Sequence, residues 1–224
     1  MLSLTEEDYL KAIYQLSESH GENEGISTNE IAKKINISAA SVSDMIKKLS
    51  QKKMVNHMKY KGVTLTEQGK QIAINLVRKH RLWETFLVRK LHFTWDEVHD
   101  IAEQLEHIQS PTLIQRLDEF LEFPAYDPHG DPIPNEKGEI VKRKKISLQE
   151  APLNQPLKVL AVEEGDPLFL KHLNKLKINI GTHITILDKV EYDESLEIQI
   201  EKASTPMMIS HKVAQYIFVA EGQR

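Results

Sequence analysis

Apolar residues in the first third of the chain recur at helical spacing in short runs, each opened by a polar capping motif. Leu10, Ile13 and Leu16 predict a helix from Glu6 to about Glu18. Thr5 is its expected N-cap, with Asp8 three residues on and the Leu4/Tyr9 pair forming a hydrophobic staple. Ser27-x-x-Glu30 is a second capping box, followed by Ile31, Ala32 and Ile35. Ile37-Ser38 opens a third helix whose buried stripe is Val42, Met45, Ile46 and Leu49. Two short capped helices joined by a tight turn are the helix-turn-helix pattern. Met54 to Tyr60, a Lys61-Gly62 turn and Val63 to Leu65 then read as a β-hairpin, the wing of a winged helix.

Thr66 caps a long helix from Glu67 to about Leu91, and Thr94-Trp95-Asp96-Glu97 is a further capping box that starts the helix carrying His99, Glu103, Glu106 and His107. Asn135 to Lys145 reads as a charged tether without a core of its own. Beyond it, Leu157 to Val162, His183 to Leu187, Leu196 to Ile200 and Tyr216 to Val219 are short strands around a small barrel, with a helix near Pro167 to Lys175. The expected fold class is mainly α with small β. Its expected parts are a winged-helix domain over 1–70, a helical domain over 71–134, a linker over 135–150 and a β-barrel domain over 151–224.

The chain has 224 residues, of which 40% are hydrophobic and 28% charged, enough apolar material for real cores. No stretch approaches the roughly 18 apolar residues of a membrane span, and the N-terminus is acidic where a signal peptide is basic. A cytoplasmic protein without a membrane partner is expected. The absence of Cys excludes disulfides, thiolate metal sites and Cys nucleophiles, so any metal must be held by N and O ligands.

Net charge is -4, but it is unevenly distributed. From Lys33 to Lys61 there are eight Lys against the single acid Asp44. From His80 to Asp131 there are eleven acids against four bases, with five of the ten His. The first segment suits phosphate and the second a cation.

The third helix is the candidate reading head. With its apolar stripe turned inward, Ala39, Ala40, Ser41, Ser43, Asp44, Lys47 and Lys48 face out, next to Ser38 at the N-cap. Small side chains near a helix N-terminus allow close approach to base edges, and the lysines reach phosphates. An ordinary solvated basic face is the plainer alternative. Tyr60 and Lys61 at the hairpin tip favour DNA, because a tip has no core role to explain them.

At about 100° per residue, His99, Glu103, Glu106 and His107 fall within an arc of roughly 100° on one helix. One helix rarely closes a coordination sphere, so a second must contribute. His80 and Glu84, four apart, are candidates, as is Asp8. The plainer readings are a capping role for Asp8 and solvated or core roles for the histidines. Glu103-x-x-Glu106-His107 is neither a zinc-protease motif nor its inverted form, and no nucleophile elbow or phosphate-cradling loop is present. An enzyme is therefore not expected.

Several stretches resemble the metal-dependent transcriptional repressors of the diphtheria-toxin-repressor family, in their manganese-responsive branch. They are Glu7 to Tyr14, Ser41-Val42-Ser43, Gly62 to Gly69, Lys79 to Glu84, Val98-His99-Asp100, Glu106-His107 and Pro124 to Pro134. The resemblance implies a winged-helix DNA-binding domain, a helical metal-binding and dimerisation domain, and a C-terminal SH3-like β-barrel. It also implies a homodimer on double-stranded operator DNA.

By this resemblance, a primary metal site comprises Asp8, Glu103, Glu106 and His107. Iron-responsive members carry Met and Cys where this chain has Asp8 and Glu103, so harder oxygen ligands point to Mn²⁺, with Fe²⁺ as the alternative. Lys11 departs from members that place a carboxylate there to build a binuclear site. A secondary site is implied either at His80, Glu84 and His99 or at Asp127, His129 and the barrel residue Asp166. Two rivals remain: a winged-helix regulator of an organic ligand, whose DNA binding would ignore chelators, and a metalloenzyme that would lose turnover with Glu106→Ala.

Overall fold

The computed structural model describes residues 2–18, 20, 24–58, 61–163, 166–201 and 203–220. The chain forms two compact units that interleave along the sequence. One comprises Met1–His80, Glu103–Ile114 and Pro134–Ile140; the other comprises Arg81–Ala102, Gln115–Ile133 and Val141–Arg224.

In the first unit, α1 (Leu4–Ser17), α2 (Thr28–Lys34) and α3 (Ala39–Gln51) precede the hairpin of β1 (Val55–Met58) and β2 (Gly62–Leu65). Helix α1 begins two residues earlier than the pattern predicts. Its N-cap is Ser3, whose hydroxyl accepts from Glu6 N while the Glu6 carboxylate accepts from Ser3 N. Ser3-x-x-Glu6 and Thr5-x-x-Asp8 are equally good capping boxes on paper. The choice of Ser3 leaves Asp8 inside the helix, free of any capping role. The Ser27/Glu30 box and the Ser38 cap form as expected.

Leu10, Ile13, Ile26, Ile31, Val42, Ile46, Leu49, Val55 and Val63 close the core of this unit. Met45, expected in the stripe, is only partly buried at its edge. Antiparallel pairing runs from Val55 opposite Leu65 to Met58 opposite Gly62, and Ile26 adds a bridge to Val63. At Gly62 (φ +84°) a Cβ would stand 2.6 Å from the Gly25 backbone, so only glycine admits this close approach.

Helix α4 (Glu67–Leu91) matches its predicted span and contributes to both units. Helix α5 is shorter than expected, His99–Leu105, so Glu106 and His107 lie in the turn beyond it. Helix α6 (Pro111–Phe120) buries Ile114 and Leu117, and Leu121 just beyond it, but exposes Leu113 and Phe120.

The second unit holds an SH3-like antiparallel sheet in the order β3-β8-β4-β5-β6-β7. Its strands are β3 (Lys145–Ser147), β4 (Pro156–Val162), β5 (His183–Lys189), β6 (Leu196–Ile200), β7 (Met207–Ile209) and β8 (Ile217–Ala220). Register shifts within β4 and β5 let the sheet curl around Leu157, Val159, Ile184, Ile198 and Val219. Helices α7 (Pro167–Leu176) and α8 (His211–Ala214) complete this unit.

The expected tether is anchored at several points. Ile140 packs on the winged-helix core, Lys145–Ser147 is strand β3, and the Arg143 guanidinium lies 3.8 Å over the Tyr126 ring while donating to the Leu160 carbonyl. Among the described residues no helix is long and apolar enough to cross a membrane.

Candidate metal centres and reading surface

In the winged-helix unit, Asp8, Glu106 and His107 bring one ligand atom each to within 4.8 Å of one another. Helix α1 supplies Asp8, and the turn after α5 supplies the other two. Glu106 is fully buried, yet its Oε1 has no hydrogen-bond partner, and neither has Asp8 Oδ1. A buried acceptor left unpaired costs about 1–3 kcal/mol, so this arrangement asks for a cation.

His107 is oriented to serve. Its Nδ1 stands 2.8 Å from Glu7 Oε2, and with the proton assigned to that bond, Nε2 presents a lone pair 3.0 Å from Asp8 Oδ1. Gln109 Nε2 donates to the other Glu7 oxygen at 3.1 Å. Burial, reinforced by Glu103 and Glu106, raises the Asp8 pKa against the opposing charges of His107 and Lys11. The donor set of carboxylate oxygens and an imidazole nitrogen fits a divalent cation of manganese or iron type.

Glu103 and His80 stand beside this group, gathered on a lysine. The buried Lys11 Nζ lies 2.6 Å from Glu103 Oε1, 2.6 Å from Glu106 Oε2 and 3.2 Å from His80 Nδ1. His80 Nδ1 is also 2.5 Å from Glu106 Oε2. Buried Lys79 is drawn by the charges of Glu7 and Glu106, while burial lowers its pKa.

A second cluster lies wholly in the barrel-containing unit, where Glu84, Asp127 and His129 again bring one ligand atom each to within 4.8 Å. His129 Nε2 is 2.8 Å from the Trp95 carbonyl oxygen, which fixes a proton there and turns Nδ1 toward Glu84 Oε2 at 3.5 Å. Asp127 Oδ1 accepts from the backbone N–H groups of His129 and Asp131, both at 2.9 Å, and Oδ2 lies 3.7 Å from Arg81 Nε. Burial lifts Asp127 to about 7, with help from Asp131 and Glu84. Burial pulls His129 the other way, but Glu84 and Asp127 outweigh it and hold the imidazole up at about 9.

Two expectations change here. The helix expected to carry His99 to His107 ends at Leu105, so Glu106 and His107 lie in the turn beyond it; His99, largely exposed, stands 3.5 Å from Glu84. His80 and Glu84, four residues apart on α4, each meet partners within their own unit. His80 goes to Lys11 and Glu106, and Glu84 to His99 and His129. Asp166 belongs to neither cluster; its carboxylate caps α7 by accepting from Leu168 N at 2.8 Å. Glu7 was not singled out from the sequence, where it reads as one more acid in the first turn.

On the reading helix α3, Ser38, Ala40, Ser41, Asp44, Lys47 and Lys48 are exposed, and Ala39 and Ser43 are half-buried. Asp44, the one acid there, is paired with Lys47 Nζ at 3.1 Å, which offsets its repulsion of phosphate. Lys61 is exposed in the hairpin turn, and Tyr60 lies outside the described residues. Glu6, 1% exposed, takes Lys52 Nζ at 2.7 Å and Lys48 Nζ at 3.1 Å, and the Lys52 bond holds its carboxyl down at about 2. Consecutive residues of α1 therefore grip the candidate reading helix (Glu6), the imidazole of the candidate metal cluster (Glu7) and that cluster itself (Asp8).

Family models match nearly the whole chain: the N-terminal DNA-binding domain of iron-dependent repressors over residues 1–63, their metal-binding and dimerisation domain over 66–135, and the FeoA domain over 146–221. The iron-dependent repressor IdeR of Mycobacterium tuberculosis is 35% identical over 132 residues, 58% of this chain and 55% of that protein. The chain thus matches about half the length of that relative. IdeR of Mycobacterium leprae is 31% identical over 70% of each chain. Among solved structures, a manganese-dependent transcriptional repressor in complex with manganese has a TM-score of 0.84 at 35% identity, covering 96% of this chain and 99% of its own. The manganese regulator SloR has a TM-score of 0.74 at 34% identity, covering 97% and 98%. These relatives are repressors and not enzymes, and with that fold and those domains in the same order the chain belongs to the metal-dependent transcriptional repressors of the diphtheria-toxin-repressor family.

Proposed function

We propose that the chain is a Mn²⁺-responsive repressor that binds operator DNA as a homodimer in the cytoplasm and controls metal-uptake genes. The observation that carries this reading is the pair of buried oxygens without a hydrogen-bond donor, Glu106 Oε1 in the turn after α5 and Asp8 Oδ1 on α1, the helix whose Glu6 also holds α3. A divalent cation held by Asp8, Glu106 and His107 supplies the positive charge those donors lack. The side chains do the rest. Glu7 fixes the His107 ring, Asp8 ties α1 to the 103–107 segment, and Glu6 passes the position of α1 to Lys48 and Lys52.

In a dimer, two reading helices so positioned meet successive major grooves about 34 Å apart. The exposed Phe120 and Phe123 supply apolar surface suited to a second copy. Glu84, Asp127 and His129, with His99 beside them, form a second candidate cation site. The absence of sulfur donors favours Mn²⁺ over Fe²⁺.

Operator binding measured by fluorescence anisotropy, with Mn²⁺, with Fe²⁺ and with chelator, tests the reading. Tight binding restricted to the metal-loaded protein is expected. Equal affinity in chelator sinks it, and activation by Fe²⁺ alone overturns the manganese assignment.

A further inference from the structure

The environment of Lys11 is that of a bound cation. Its ammonium is buried, ringed by Glu103 Oε1, Glu106 Oε2 and His80 Nδ1, with both carboxylate contacts at 2.6 Å. The two carboxylate oxygens accept from the ammonium, while His80 Nδ1, 2.5 Å from Glu106 Oε2, is hydrogen-bonded to that carboxylate and stands beside the ammonium; carboxylates with an imidazole nearby are also what Asp8, Glu106 and His107 gather. Glu106 is shared between the two groups: Oε2 faces the ammonium, and Oε1 is left without a partner.

The charges point the same way. Glu7, Asp8, Glu103 and Glu106 face one another here, and Lys11 and Lys79 are the ammoniums among them; a histidine that ligates a metal does so through its neutral imidazole and adds nothing to the count. Four carboxylates against two ammoniums leave two negative charges, the complement of one divalent ion and not of two. A buried carboxylate group of this kind is tolerated only when its charge is matched.

We infer that Lys11 is a resident cation. Its ammonium fills the position beside Asp8, Glu106 and His107 that a second metal ion would otherwise take, so this centre binds a single ion. Lys11 reaches across from α1 to Glu103 and Glu106, so part of the link between α1 and the 103–107 segment exists before any metal arrives. The switch therefore responds to one ion per chain at this centre, without the steeper dose-response of a coupled pair.

The inference rests on Asp8, Glu106 and His107 being a metal site, and the experiment separates the two claims. Mn²⁺ bound per chain is counted by native mass spectrometry for wild type, Asp8→Ala and Lys11→Glu, and each loaded protein is examined by electron paramagnetic resonance. Wild type should exceed Asp8→Ala by one ion, with no spectrum of a spin-coupled pair. Lys11→Glu, which leaves four negative charges, should take one ion more than wild type and show that pair.

If Asp8→Ala and wild type bind equal numbers, the metal-site reading itself fails. If wild type already holds a coupled pair, or Lys11→Glu gains no ion, the metal site stands and the role of Lys11 is overturned. Lys11→Met guards against misfolding of the charge-reversed variant. It should lower the thermal midpoint of the metal-free protein by roughly 6–20 °C, the cost of breaking a buried ion pair, and saturating Mn²⁺ should recover part of the loss. An unchanged midpoint would also overturn the inference.

Discussion

The two clusters draw on the same donors, carboxylates with a histidine, yet they are finished to different degrees. At Asp8, Glu106 and His107 two oxygens are left over. At Glu84, Asp127 and His129 the hydrogen bonds are spent: Asp127 holds two backbone N–H groups, His129 holds the Trp95 carbonyl, and Arg81 stands against the remaining Asp127 oxygen. The first cluster is connected through α1 to the reading helix. The second is connected to the barrel, because the His129 carbonyl accepts from Val162 N of β4 at 2.9 Å. On the proposed reading, leftover lone pairs suit a sensor, whereas satisfied ones suit a staple that holds its loop with or without an ion.

The sharpest way to break this distinction is to remove a ligand from each cluster and follow DNA binding. Asp8→Ala or His107→Ala should reduce the ratio of operator affinities with and without Mn²⁺ to about 1, since even outer partners of a metal ligand are worth about 10–100-fold. His129→Ala should retain most of that ratio. Equal losses from both clusters would erase the division into sensor and staple.

Next in size is Glu7→Gln, which weakens the bond that orients His107. Calorimetry should show Mn²⁺ affinity falling about 10–100-fold at the first cluster, while the ions bound per chain at saturation stay unchanged. An unaltered affinity would mean that the His107 ring is held by packing alone.

A third test uses the metal-free protein and predicts opposite signs. Asp127→Ala strands two backbone N–H groups and should lower stability by about 1–3 kcal/mol, a fall of about 2–12 °C in thermal midpoint. Asp8→Asn relieves repulsion from Glu103 and Glu106 and should leave the midpoint unchanged or raise it slightly. A fall of similar size in both would show that the first cluster, too, is structurally complete without metal.

Much of this was legible in the sequence, and what was not has identifiable causes. The capped helices, the wing and the 25-residue α4 follow from spacing and caps, which are local. Asp8 was indicated by resemblance, but its freedom from capping depended on Ser3 outcompeting Thr5, a choice between two valid boxes. The ligand stripe assumed an unbroken helix, and a helix that stops at Leu105 invalidates the angles for Glu106 and His107. The partners of Lys11 lie 69 to 95 residues away, so only the tertiary fold reveals them. Strand β3 hides among lysines, because three half-buried residues at a sheet edge need little hydrophobicity.

The smallest expected effect tests how the first cluster reaches DNA. Glu6 touches none of the proposed ligands, so Glu6→Ala should leave Mn²⁺ affinity and stoichiometry as they are. Its carboxylate is nonetheless buried between α1 and α3, with Lys52 at 2.7 Å and Lys48 at 3.1 Å. Removing it frees two lysines, which by itself strengthens operator binding in all states through phosphate attraction. It also cuts the grip by which α1 positions α3, which weakens only the metal-loaded state. The ratio of the two affinities cancels the first effect and retains the second, so a several-fold fall in that ratio is expected with Mn²⁺ binding intact. An unchanged ratio would mean that the packing of Leu10 and Ile13 against Ile46 and Leu49 carries the signal, and that the ion pairs of Glu6 only tune the charge of the reading surface.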